Sequence, residues 1–154
     1  MLNTRSLVLG LAAGLVAATG LAAQDADLPA PVKARKAVMQ LYAFNLGTLG
    51  AMAKGEVDYD AEAAQGAADN LVKLSSLAAG AMWPAGTDSA AVAGSRALPA
   101  LWENFPDVMA KGGALAEAAG GMATAAGTDL ASLQAAMGPL GAACGDCHKA
   151  YRAE

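Results

Sequence analysis

From Val32 to Met52 the apolar residues Val32, Val38, Met39, Leu41, Tyr42, Leu46, Leu49 and Met52 recur mainly at steps of three and four. That interval is the signature of one face of a helix. Elsewhere alanine is abundant, β-branched residues are few, and glycine and proline collect between the periodic stretches. Alanine is the strongest helix former, whereas strands draw on β-branched and aromatic residues. No convincing run for a strand exists, so the chain is confined to the all-α class.

Four helices are expected. The first runs from about Pro31 to Lys54, with Pro31 suited to an initial turn and Gly55 to a C-terminal stop. Asp58 or Asp60 caps the second, which carries Leu71, Val72, Leu74 and Leu77 and stops near Met82. The stretch from Trp83 to Leu98, with Pro84, Gly86, Gly94 and several small polar residues, reads as a long connection. A third helix follows from about Pro99 to Ala125, kinked or restarted at Pro106. The fourth begins after Gly127, capped by Thr128 or Asp129, and runs to Arg152 with a bend at Pro139. Two short links and one longer crossover suit an antiparallel four-helix bundle. Gly112, Gly113, Gly120 and Gly121 weaken the third helix by about 1 kcal/mol each. Close helix–helix packing is the expected reason for them, with room for the edge of a cofactor as the alternative.

The last expected helix carries Cys144-Gly145-Asp146-Cys147-His148. On a helix, positions 144, 147 and 148 stand at i, i+3 and i+4 and share one face. Two thiols at this spacing can add to the two vinyl groups of one haem, and the adjacent imidazole can reach its iron. A redox dithiol is the alternative, but that motif normally sits near a βαβ pattern. A structural zinc site needs about four ligands, and the chain offers two cysteines and one histidine. Covalent haem is therefore the expected cofactor, one per chain, and it leaves no cysteine for a structural disulfide. Because His148 is the sole histidine, bis-histidine ligation within a subunit is impossible. The far side of the iron then holds methionine, a small molecule, or nothing.

At the other end, Arg5 precedes an apolar stretch from Ser6 to Ala22, followed by small residues and the polar run Gln24-Asp25-Ala26-Asp27. This reads as a secretory leader over residues 1–23, removed on export to the periplasm, with one domain over 24–154. About 130 residues would remain, enough for a single core. No second apolar span appears, so no membrane span is expected in the mature form. Without Arg5 the formal charge is −5. An acidic surface argues against nucleic acid and anionic membranes as partners. No Ser-His-Asp set, phosphate loop or distal acid–base histidine is present, so no enzyme is expected. Glu103 and Asp107, four residues apart, read as a solvated helix face.

The run Cys144-Gly145-Asp146-Cys147-His148-Lys149-Ala150-Tyr151-Arg152 resembles the terminus of the cytochromes c′ and their low-spin relatives, the class II c-type cytochromes. Arg35-Lys36-Ala37-Val38-Met39, Asn45, Gly50 to Gly55, Trp83-Pro84-Ala85-Gly86-Thr87 and Trp102 agree with it. The resemblance implies a left-handed bundle with haem c between its helices, usually a periplasmic homodimer. It makes His148 the proximal ligand and puts Arg152 near the imidazole. It brings Arg35 to the haem propionates or distal rim, and Tyr151 beside the porphyrin. Tyr151 also fits an ordinary core aromatic, and Arg152 a favourable cation at a helix C-terminus. Met39 falls over the distal face, where its sulfur would be the sixth ligand of an electron carrier. Alternatively Met39 is an apolar lid over a five-coordinate iron that binds nitric oxide or carbon monoxide, or a core methionine away from the cofactor. Redox proteins are the expected partners under the first reading, diatomic gases the ligands under the second.

Overall fold

Helix α1 spans Ala30–Ala53 and ends where the glycine was expected to end it. Gly55 takes φ +71°. Its amide bonds the Met52 carbonyl at 3.0 Å and the Glu56 amide bonds that of Ala51 at 2.9 Å. These two bonds form a Schellman stop, which favours a residue without Cβ at that position. The computed structural model describes residues 27–154, so the expected leader over residues 1–23 lies outside it.

Helix α2 spans Ala61–Ser75. Asp60 is its cap, its carboxylate accepting from the Glu62 and Ala63 amides at 2.9 and 3.0 Å. The helix stops well short of Met82, contrary to expectation. The Ser75 and Ser76 hydroxyls donate to the Val72 and Lys73 carbonyls, each at 2.9 Å. Such bonds offer the last turn an alternative to continuing the helical ladder. A single 3₁₀ turn, Ala79–Met82, follows after the break.

Of the two readings at Pro106, restart is the one observed. A one-turn helix α3 (Ala100–Glu103) stops at Asn104, and α4 (Phe105–Ala125) begins with Pro106 in its first turn. Proline cannot donate to the preceding turn and disfavours helical backbone before it, yet it is tolerated at a helix start. Helix α5 (Leu130–Tyr151) opens on Asp129, whose carboxylate accepts from the Ser132 amide at 2.7 Å. Pro139 lies in its interior.

Side chains bridging the helices fix their directions. Tyr59 and Gln65, at the start of α2, donate to the Ala126 and Ala123 carbonyls at the end of α4 (2.8 and 2.9 Å). Gln134, early in α5, donates to the Ala53 carbonyl at the end of α1 at 2.8 Å. Helix α1 packs on α2 and α5, and α4 packs on the same two. The result is a closed antiparallel four-helix bundle. Among the described residues no helix is long and apolar enough to cross a membrane.

One half of the bundle is densely filled. Leu49, Leu71, Met122, Leu133 and Leu140 are fully buried against Ala64, Ala67, Ala68, Ala119 and Ala126. These alanines, not the glycines of α4, carry the close helix approach. A Cβ at Gly112, Gly113, Gly120 or Gly121 would meet nothing within 4 Å, which corrects the packing role expected for them. Gly121 instead lines a groove of about 510 Å³ between α4 and α5, beside Ala118, Ala136 and Pro139. At the opposite end a smaller cluster forms from Ala97, Leu101 and Tyr151, with Trp83, Trp102, Val108 and Cys147 packed on it. The motif-bearing turns of α5 lie at that end.

Candidate functional site

The last two turns of α5 present Cys144, Cys147 and His148, all partly buried. The helical spacing aims the two thiols at different neighbours. Cys144 lies close enough to α1 for its charge to push the Tyr42 phenol above its ordinary value, second to burial of that phenol. Cys147 packs on the Ala97–Leu101–Tyr151 cluster and feels Lys111 and Asp107 of α4. Neither forms a disulfide. Burial pushes both thiols up, with the charge of Cys147 adding to the effect at Cys144. Reactive dithiols have lowered values in electropositive surroundings, so this environment is the reverse of one tuned for disulfide exchange.

His148 is shifted the other way. Burial first, then the positive charges of Arg152 and Arg96, lower its affinity for a proton. The neutral imidazole, which is the form that ligates a metal, is thereby favoured. Beside it opens a groove of about 430 Å³ lined by His148, Lys149, Arg152, Ala153 and Glu154 among others. Among the described residues no three His, Cys, Asp or Glu come together as a shell for a metal ion. Two free thiols and a neutral imidazole on one helix face fit a group attached through sulfur with a single axial nitrogen.

Arg35 is buried at 5% exposure. Its Nη1 donates to the Thr87 hydroxyl at 2.8 Å and the Met82 carbonyl at 3.2 Å. Its Nη2 donates to the Ser95 hydroxyl at 2.8 Å and to the Thr87 carbonyl. The guanidinium carbon also sits 4.9 Å from the Trp83 ring centre and 5.9 Å from that of Trp102. The two rings are tilted by 57° with centroids 6.3 Å apart, and the Trp102 indole donates to the Trp83 carbonyl at 3.1 Å. Burial draws Arg35 below its ordinary value, partly offset by Asp88. Both terminal nitrogens thus tie α1 to the long connection.

Met39 follows Arg35 by one turn and precedes Tyr42 by three residues on α1, with 42% of its surface exposed. Arg152 is exposed just beyond the end of α5. Tyr151 is buried, and its hydroxyl donates to Asp107 Oδ2 at 2.6 Å. Asp107 also pairs with Lys111 at 3.7 Å. Glu103 and Asp107 are both exposed, as expected of a solvated face, but the break at Asn104 puts them on separate helices instead of one, and Asp107 also anchors the tyrosine. The four-residue step from Asp107 to Lys111 was the available signal in the sequence. Arg96 was missed altogether, because nothing local marks it.

The Asp107 hydrogen bond, followed by burial, pushes the Tyr151 phenol up to about 12. A raised folded-state value means the phenol's contribution to stability is whole below pH 10 and is lost as pH climbs through about 12. Tyr151→Phe should therefore melt below the parent protein at pH 8 to 9, with the gap closing between pH 10 and 12. Parallel thermal melts across that range check it, and a gap independent of pH would refute the assignment.

The sequence profile of the family described as Cytochrome C′ matches residues 30–152. Cytochrome c-554 of Cereibacter sphaeroides is 46% identical over 144 residues, covering 94% of each chain. Cytochrome c′ of the same organism is 40% identical over 142 residues, covering 92% of this chain and 95% of its own. The solved cytochrome c′ from Rhodobacter Spheriodes superposes with a TM-score of 0.79 at 39% identity, covering 80% of this chain and 95% of that one. Bundle, motif and relatives agree: the chain belongs to the cytochrome c′ family, whose cofactor is covalent haem c.

Proposed function

We propose that this protein is a periplasmic electron carrier in which Cys144 and Cys147 hold haem c through thioether bonds. His148 and the Met39 sulfur would be the protein ligands of its iron. Haem c in that site supplies one-electron exchange between ferric and ferrous iron. The chain's own residues do the rest. Burial and the two arginines keep His148 neutral, the helix face fixes the thiols, and α1 holds Met39 between the anchored Arg35 and the buried Tyr42. The observation that carries this reading is the pairing of two free, half-buried thiols and a proton-poor imidazole at the end where α1 presents Met39. The unused outward side of α1, with Leu41 at 51% and Phe44 at 70% exposure, is assigned to a second copy in a homodimer. Redox proteins are the partners, and the leader over residues 1–23 directs the chain to the periplasm.

The visible spectrum in both oxidation states tests the ligand set. Methionine–histidine ligation gives a sharp low-spin reduced spectrum and a raised reduction potential. Met39→Leu should abolish the sharp spectrum, lower the potential and let carbon monoxide bind the reduced protein readily. A parent protein that is already high-spin and binds carbon monoxide would overturn the ligand assignment. It would place the chain with the five-coordinate gas-binding members, Met39 acting as a lid.

A further inference from the structure

We infer that Arg96, from the connection between α2 and α3, is a positioning residue for the iron ligand: it clamps the C-terminal segment and holds a second positive charge beside His148. The inference rests on the haem-bearing reading above. Helix α5 ends at Tyr151, and Arg152 leaves it in extended backbone (φ −117°, ψ 129°). Residues that leave a helix in extended backbone lose its hydrogen-bond ladder and are free to move unless something ties them down.

Here they are tied to the connection by an antiparallel rung pairing Ala97 with Arg152. The Leu98 amide donates to the Tyr151 carbonyl and the Ala153 amide to the Arg96 carbonyl, each at 2.9 Å. The Arg96 side chain closes the clamp, its Nε and Nη2 both donating to the Ala153 carbonyl at 3.1 and 2.8 Å. A two-pronged guanidinium loses less freedom per bond than a lysine would, so an exposed side chain becomes a fixed charge. The rung also fixes the backbone of Arg152, which leaves α5 one turn after His148, as its amide bonds the His148 carbonyl at 3.0 Å. Ala153, whose carbonyl the Arg96 guanidinium grips, lines the same groove as His148 and Arg152, so the held charge stands at the edge of that groove.

Ferric haem iron carries one more positive charge than ferrous. Two cations held on the ligand side therefore favour the ferrous form. For an exposed charge on the order of 10 Å away, removal changes the ferric-to-ferrous ratio about twofold in a dielectric of about 80 and about fourfold in one of about 40. Salt should shrink that difference, because the screening length is about 10 Å at 0.1 M.

The test uses the haem-loaded protein with Arg96→Lys, Arg96→Gln and Arg96→Ala, read by potentiometric titration at low and high ionic strength. Arg96→Lys should keep the parent's reduction equilibrium. Arg96→Gln and Arg96→Ala should move it about two- to fourfold toward ferric at low salt and much less at high salt. Hydrogen exchange at the Ala153 and Leu98 amides gives a second readout, expected to quicken most in Arg96→Ala. A purely structural arginine would lower the melting temperature and speed exchange while leaving the potential unchanged, and that result overturns the proposal. So does an Arg96→Lys protein that shifts as far as Arg96→Gln. Failure of the haem reading itself would show separately, as a parent protein without the cofactor's added mass.

Discussion

Cys144→Ser combined with Cys147→Ser is expected to give a chain whose denatured mass is that of the polypeptide alone, with no haem absorbance following it through acid–solvent extraction. The parent, matured with the periplasmic haem-attachment machinery, should keep both the added mass and the colour after the same treatment. Thioether bonds survive denaturation, whereas an iron–imidazole bond does not, so the extraction separates sulfur attachment from mere ligation. Each single substitution should leave one bond and retain the colour at reduced yield. The two singles need not behave alike. Cys144 is seated against α1 near Tyr42, while Cys147 is packed into the Trp102–Tyr151 cluster. Serine at 147 places a hydroxyl among apolar neighbours, so it should disturb the terminal turn more. A double variant that still carried covalent haem would refute the attachment residues. A parent without haem but with a readily cycled disulfide would revive the dithiol alternative, against the raised thiol values that both cysteines show.

How much of this could be read from residues alone varied with how local the cause was. Asp60, Asp129 and Gly55 act within one turn, and each end or start they mark falls where their chemistry placed it. The face shared by Cys144, Cys147 and His148 is equally local, since it needs only that the segment be helical. The overlong second helix failed because Leu74 and Leu77 continued the apolar period while Ser75 and Ser76 were already turning on their own carbonyls. Periodicity sees the side-chain pattern and not that competition. The glycines of α4 misled for a related reason. Small residues permit close approach without requiring it, and in this bundle the buried alanines supply the contact. What escaped entirely was long-range. The rung between Ala97 and Arg152 spans the whole of α3, α4 and α5, and the Arg35 box gathers Met82, Thr87 and Ser95 from a stretch without periodicity. A loop's polar side chains carry no sign of the helix they will grip.

Arg35→Ala is the substitution that should cost the fold most outside the haem attachment itself. The guanidinium makes four hydrogen bonds into the connection and contacts the faces of Trp83 and Trp102. Bonds from a charged donor contribute about 1.5–3 kcal/mol each, and a desolvated cation–π contact about 2 kcal/mol. These contributions are not additive, because Ser95 also donates to the Thr87 carbonyl at 2.8 Å and would keep part of the loop's geometry. A net loss of about 3 kcal/mol is the reasonable expectation, or roughly 10 °C in melting temperature for a domain of this size. Arg35→Lys should recover less than half, since one ammonium head cannot reach the positions served by two guanidinium nitrogens. Far-UV helicity should hardly change, as the internal hydrogen bonds of α1 do not involve the side chain. Limited proteolysis should instead find new cleavage between Thr87 and Ser95. The consequence extends to the site, because Met39 lies one turn past Arg35 on the same helix and shares its anchorage. If the Met39 sulfur is a ligand, Arg35→Ala should raise the high-spin fraction of the oxidised protein in step with the loop's new susceptibility. An Arg35→Ala protein that melts with the parent and resists protease equally would mean that the connection is held by the tryptophans and its own turns. The buried guanidinium would then have to be explained by what it does toward the cofactor.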